Sequence, residues 1–177
     1  ITIERLSGLH KDVRGIRFSR NYGKEAAIAA GLDESRGDAV IVMDGDLQHP
    51  PELLPVMIEA WTHGAEIVDC VKSDRGSRWW GDALAARFFY TLFSISSGFD
   101  LRGASDFKLL DQKVVVAWRR LGERDTFFRG MSAWLGFNRV KLSFAVPPRI
   151  SGVSGWSFIK LMRLAITAIT SFSSIPL

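Results

Sequence analysis

One cysteine, Cys70, in 177 residues excludes an internal disulfide framework and any zinc site built on cysteines, and fits a reducing compartment. No apolar run reaches the ~18 residues that a membrane-spanning helix needs, and no secretory signal pattern is visible. Any anchoring must therefore use the surface or lie outside this sequence. There is no block of like charge. The net charge of +4 comes from 23 Lys and Arg residues scattered along the chain, a distribution suited to isolated anion contacts and not to a nucleic-acid groove. No G-x-G-x-x-G follows the first strand-like run, which disfavours a dinucleotide-dependent dehydrogenase. Internal repeats and low-complexity tracts are also lacking.

What is present is a hydrophobic fraction of 47%, enough for a true core in a chain of single-domain length. The sequence opens on "ITIERLSGL" without a Met and stops on "SFSSIPL", so both ends read as cuts in something longer. The first half alternates β-rich and helical patterns. "RGIRFS", "DAVIVMD" and "AEIVDCVKS" read as strands, with helices in "GKEAAIAAGLDES" and "PELLPVMIEAWTHG" between them. That order predicts a mostly parallel α/β sheet with crossover helices. Further on, "DRGSRWWGD" reads as a basic, aromatic loop and "ALAARFFYTLFSISSG" as an apolar helix. "SDFKLLD" reads as a short strand and "QKVVVAWRRL" as a helix. "TFFRGMSAWLGF" reads as an apolar helix with one Arg, "NRVKLSFAVPPR" as a half-buried strand, and "GWSFIKLMRLAITAITSF" as a terminal amphipathic helix.

The informative stretch is "VIVMDGDLQHPPELLP", where an apolar strand ends in charge. Ligands in open α/β sheets collect outside the carboxyl ends of strands. There Asp44, Asp46 and Gln48 supply oxygen atoms of the kind that hard cations such as Mg²⁺ or Mn²⁺ prefer, leaving positions for a diphosphate. The same residues also suit an ordinary strand-to-helix turn in which Asp46 or a neighbour caps the helix opened by Pro51. His49 reads as a packing or hydrogen-bonding residue.

Four further segments stand in register with this one: "SRNYGKEAAIAAGL", "KSDR", "SDFKLLDQKVV" and "RISGVSGWSFIKLMRLAITAITSFSSIPL". Together they resemble the polyprenyl-phosphate glycosyltransferases of glycosyltransferase family 2, the group of dolichyl-phosphate mannosyltransferases and undecaprenyl-phosphate glucosyltransferases. The resemblance covers almost the whole chain. It implies a GT-A nucleotide-diphospho-sugar fold, with a partial catalytic domain over 1–150 and an acceptor loop plus juxtamembrane amphipathic helix over 151–177. It implies an inverting, metal-dependent hexosyltransferase that moves a sugar from a UDP-glucose or GDP-mannose type donor to a polyprenyl phosphate. The partners would be that nucleotide sugar, the lipid phosphate and the membrane surface at the cytoplasmic face of the inner membrane. Nucleic acid is excluded and homo-oligomerisation is left open.

Residue by residue, the resemblance places Asp44, Asp46 and Gln48 around an Mg²⁺ or Mn²⁺ ion, with Asp44, Asp46 and Lys24 on the donor side. Asp106 matches an acidic position near the sugar and acceptor. A lipid phosphate is already anionic, with a second pKa of about 6 for comparable monoesters. Asp106 is therefore expected to position groups or stabilise an oxocarbenium-like carbon more than to remove a proton. Arg75, Lys108 and Arg149, with the hydroxyls of Ser105 and Ser154, are the candidates for holding the acceptor phosphate. Arg suits that task through its planar fork. Lys108 stands where many relatives carry Arg, and Gly155 where many carry Lys.

The chain departs from the family in lacking a first strand leading into a Pro-x-Tyr-Asn-Glu type motif. This leaves a second hypothesis open: a catalytically incomplete nucleotide-sugar-binding or scaffold module of the same fold. A processive family 2 enzyme would carry a Gln-x-x-Arg-Trp motif, which is not found. For the membrane side, Trp156, Phe158, Ile159, Met162 and Ile166 offer an apolar face, with Lys160 and Arg163 placed to meet lipid phosphates.

Overall fold

The computed structural model describes residues 3–46, 48–73, 105–122 and 127–145. Helix α1 (Ile3–Leu9) is exposed and buries none of its residues. Helix α2 (Lys24–Glu34) starts after Gly23, whose φ of 90° lies in the left-handed region, and whose N–H donates to Asn21 Oδ1 at 2.8 Å. A residue with a Cβ would be strained at that turn. The turn is what delivers Lys24 and Glu25 to the sheet edge. Strand β1 (Ala39–Val42) follows, then a single 3₁₀ turn at Pro51–Leu53, helix α3 (Leu54–Thr62) and strand β2 (Ile67–Lys72). The later elements are β3 (Lys108–Asp111), α4 (Gln112–Leu121), α5 (Phe128–Trp134) and β4 (Arg139–Phe144).

The four strands form one mixed sheet in the order β1-β3-β2-β4. β3 lies antiparallel between β1 and β2, and β4 runs parallel to β2. β1, β2 and β4 thus share one direction, which for β1 and β2 is what the alternating pattern predicts, but β1 and β2 are not neighbours. Among the described residues this corrects the expected mostly parallel pairing: the only parallel ladder is β2 with β4. The reason is that β3, from far along the chain, takes the place between them. The alternating segment "RGIRFS" also departs from expectation. Residues 14–18 form no strand and are exposed, and Arg17 pairs with Glu4 at the surface.

Side-chain alternation sorts the core into two layers. Val40, Val42, Ile67 and Leu110 face α2, α4 and α5, where Leu32, Val114, Val115, Trp118, Phe128 and Met131 pack against them. Ile41, Val68, Cys70, Leu109 and Phe107 face the opposite side, against Met57 and Trp61 of α3. Burying side chains of this size contributes about 1.5–3 kcal/mol each, which makes these two layers the main support of the sheet edge described next. No described helix is long and apolar enough to cross a membrane. The predicted loop after Asp74, the helix over 83–98 and the terminal amphipathic helix lie outside the described residues.

Candidate active site

The register between β1 and β3 decides where the acidic residues meet. Val42 stands opposite Lys108. Two residues further along each strand line, beyond the ladder, come Asp44 and Asp106. Because β3 is antiparallel, its beginning lies at the edge where β1, β2 and β4 end. All the strand ends that can present ligands therefore converge there.

Lys24 bridges the two carboxylates. Its Nζ lies 2.7 Å from Asp44 Oδ1, 2.8 Å from Asp44 Oδ2 and 2.5 Å from Asp106 Oδ2. Burial works against the Lys24 ammonium, yet its two carboxylate partners raise its pKa above the ordinary value. From the other side Arg129 donates from Nε to Asp106 Oδ1 at 2.7 Å and from Nη2 to Asp106 Oδ2 at 2.9 Å, a two-bond fork. Burial alone would raise the pKa of Asp106, but Arg129 and then Lys24 hold it well below the usual carboxylate range. Asp106 is thus a buried, fully ionised carboxylate with a cation on each side. It is a poor proton acceptor.

The turn after β1 is fixed by His49, which is buried as a packing residue should be. Its Nδ1 accepts the backbone N–H of Asp44 at 2.9 Å, and its ring stacks on Phe107 at 4.8 Å between centroids. Burial lowers its pKa, opposed by Asp44 and helped by Lys72 and Lys24, and because Nδ1 accepts a hydrogen bond the neutral ring carries its proton on Nε2. Asp46 Oδ1 accepts the N–H of Gln48 at 3.1 Å, closing a local turn, and Asp46 itself is exposed.

Among the described residues no three His, Cys, Asp or Glu side chains form a closed metal cage. The end of β1 instead offers two carboxylates and an amide oxygen, all hard donors. Donors of that chemistry suit a divalent cation that keeps only one or two carboxylates and completes its shell with phosphate, and in this structure both oxygens of Asp44 meet the Lys24 ammonium instead.

Other predicted site residues are placed differently. Lys108 is 1% exposed and ion-pairs with Asp69 on the neighbouring strand, while Arg139 Nη1 lies 3.1 Å from the other oxygen of Asp69. Its ammonium is engaged inside the sheet and does not face an incoming phosphate. Burial lowers its pKa, opposed by Asp69. Ser105 is likewise buried, its hydroxyl donating to the Cys70 carbonyl and accepting the N–H of Phe107 at 3.2 Å. Its one proton is therefore committed to the fold. Arg75, Arg149 and Ser154 lie outside the described residues.

Three residues not foreseen complete the edge. Arg129 makes the fork to Asp106. Glu25 Oε2 accepts the N–H of Phe128 at 2.8 Å, and burial raises the Glu25 pKa. Lys72, at the end of β2, has its pKa lowered by burial and by the charge of Arg129. The signal for Arg129 was its being the one charged residue in "TFFRGMSAWLGF", because a lone Arg on an otherwise buried helix needs an acidic partner.

The family model described as glycosyl transferase family 2 matches residues 2–114. An uncharacterized glycosyltransferase of Synechocystis sp. is 36% identical over 169 residues, covering 95% of this chain and 53% of that protein. The bactoprenol glucosyl transferase of Shigella phage SfX is 39% identical over 163 residues, covering 92% and 53%. A prophage bactoprenol glucosyl transferase homolog of Escherichia coli K12 is 38% identical over 163 residues, again covering 92% and 53%. The chain spans about half the length of the curated relatives it matches.

Proposed function

Because the chain belongs to glycosyl transferase family 2, we propose that it carries the donor-site edge of an enzyme that moves a sugar from a nucleotide diphosphate to a polyprenyl phosphate. The observation that carries this reading is the convergence of Asp44, Lys24, Asp106 and Arg129 at the carboxyl ends of the sheet. Two of the relatives are named for bactoprenol, a polyprenyl lipid, and for glucosyl transfer. UDP-glucose is accordingly the first donor to test, with GDP-mannose beside it.

In the transfer, an oxygen of the lipid phosphate attacks the anomeric carbon from the face opposite the leaving group. The bond from that carbon to the nucleoside diphosphate breaks, and its electron pair leaves with the diphosphate. The attacking oxygen is already anionic, so no base is required, and a carboxylate as firmly ionised as Asp106 would make a poor one. We assign Asp106 to holding positive charge on the sugar carbon and orienting the groups around it. Lys24, half exposed on a flexible stem, is placed to contact donor phosphate. Asp44, Asp46 and the Gln48 amide would hold Mg²⁺ or Mn²⁺, which when bound neutralises charge developing on the departing diphosphate. Arg75, Arg149 and Ser154 remain the proposed acceptor-phosphate contacts. The lipid acceptor keeps the reaction at a membrane surface, which we assign to the cytoplasmic face.

The test is transfer of radiolabel from a panel of nucleotide sugars into undecaprenyl or dolichyl phosphate by the full-length protein, with Mn²⁺ or Mg²⁺ and with chelator. Label in the lipid phase that needs the metal and falls by about 100-fold or more in Asp46→Ala supports the reading. An Asp46→Ala protein with undiminished transfer would remove the metal assignment.

A further inference from the structure

Arg129 lies outside every segment that carries the family resemblance, yet it makes the most directional contact in the site. We propose that Arg129 is a positioning residue for the transfer reaction: its guanidinium fork fixes the plane of the Asp106 carboxylate, and the first turn of α2 fixes the start of the helix that carries it. This inference rests on the glycosyl-transfer reading.

The two cations on Asp106 are not equivalent. Lys24 is a point charge on a flexible stem, its side chain 45% exposed, and it is shared between Asp106 and Asp44. It can leave Asp106 when an anionic donor arrives. Arg129 makes two near-parallel bonds of 2.7 and 2.9 Å, which set both the position and the plane of the carboxylate. Its backbone is equally constrained. Within α5 the residues Phe128, Gly130, Met131, Ser132 and Ala133 are all buried, and the Phe128 ring meets Trp118 edge-on at 5.5 Å.

Adjacent residues of α2 grip adjacent residues of this assembly. Lys24 takes Asp106, and Glu25 takes the N–H of Phe128, the residue before Arg129. Lys24, Glu25, Phe128, Arg129 and Asp106 therefore close a ring of contacts. If Lys24 turns to the donor, the Glu25–Phe128 and Arg129–Asp106 contacts still hold Asp106 in place. Arg129 thus acts on the sugar through Asp106, and its loss should depress turnover while leaving donor affinity nearly intact. Loss of Lys24 should show mainly in donor affinity.

The experiment measures kcat and donor KM for the full-length protein with radiolabelled UDP-glucose and undecaprenyl phosphate. Arg129→Ala is expected to lower kcat by about 100-fold, the effect of a misplaced catalytic group, with donor KM within about threefold of wild type. Low-millimolar methylguanidinium should raise the turnover of Arg129→Ala by about tenfold and leave wild type and Asp106→Asn unchanged. Arg129→Lys keeps the charge without the fork and should remain at least about tenfold below wild type. It carries the same kcat-against-KM comparison should Arg129→Ala lose its native circular dichroism. Wild-type kcat in a folded Arg129→Ala protein, or a folded variant whose lost turnover methylguanidinium does not recover, would overturn the inference while leaving the reading of the enzyme intact. Absence of transfer by the wild type with every donor of the panel would overturn that reading itself, and this inference with it.

Discussion

A buried carboxylate with cations on two sides has consequences that can be measured without substrate. The Asp106 pKa is depressed in the folded chain, so as pH falls the unfolded chain takes up the proton first. The stability it contributes is therefore fully present above the ordinary carboxylate pKa of about 3.9 and is lost progressively as pH falls below it. Asp106→Asn should be less stable than wild type by about 3 kcal/mol at pH 7, because Arg129 loses its ionised partner. Denaturant titrations repeated toward pH 3 should show that gap closing; a gap independent of pH would contradict the assignment. Cys70 gives a second residue-scale test. It is 1% exposed, and burial together with the neighbouring Asp69 pushes its thiol up to about 11. In the native protein at pH 8 it should resist thiol reagents and react only on unfolding.

At the scale of elements, the helices hold one another by their ends. Asp111 Oδ1 caps α4 by accepting the N–H of Lys113 at 2.9 Å, and Asp111 Oδ2 accepts the indole N–H of Trp61 from α3 at 2.7 Å. Asp111→Ala removes both bonds and should cost about 1–3 kcal/mol by denaturant titration, with no change at the site edge. Arg119 of α4 closes the carboxyl end of α2 by donating to the carbonyls of Leu32 and Ser35. Most of these elements were legible in the sequence. "DAVIVMD", "SDFKLLD" and "QKVVVAWRRL" carry clear periods, Pro51 announces a helix start, and Gly64 marks a helix end. "RGIRFS" misled because alternation shows only that a strand could be half buried. A strand forms when another supplies its hydrogen bonds, and none of the described strands pairs with residues 14–18.

At the scale of the whole molecule, the site depends on a pairing that no local pattern contains. Asp44 and Asp46 were legible because an apolar strand ending in acids is a local signal. Asp106 entered through resemblance. That Asp106 meets Asp44 follows only from β3 running antiparallel beside β1, a contact between residues some 60 positions apart. The same register explains why Lys108 was misread: it lies opposite Asp69 and is neutralised inside the sheet. The lone charge of Arg129 on an apolar helix was a signal that it needs an acidic partner, but which partner is set by how α5 packs on the sheet edge.

The proposed reaction turns on an anionic lipid phosphate as nucleophile, with Asp106 as a fixed charge beside it. The most direct measurement offers the full-length protein two acceptors of identical chain, undecaprenyl phosphate and undecaprenol, with the same labelled donor. Label is expected on the phosphate and none on the alcohol, because Asp106, held ionised between Arg129 and Lys24, is a poor base for a hydroxyl. Comparable transfer to the alcohol would show that a base is at work and would contradict the role given to Asp106.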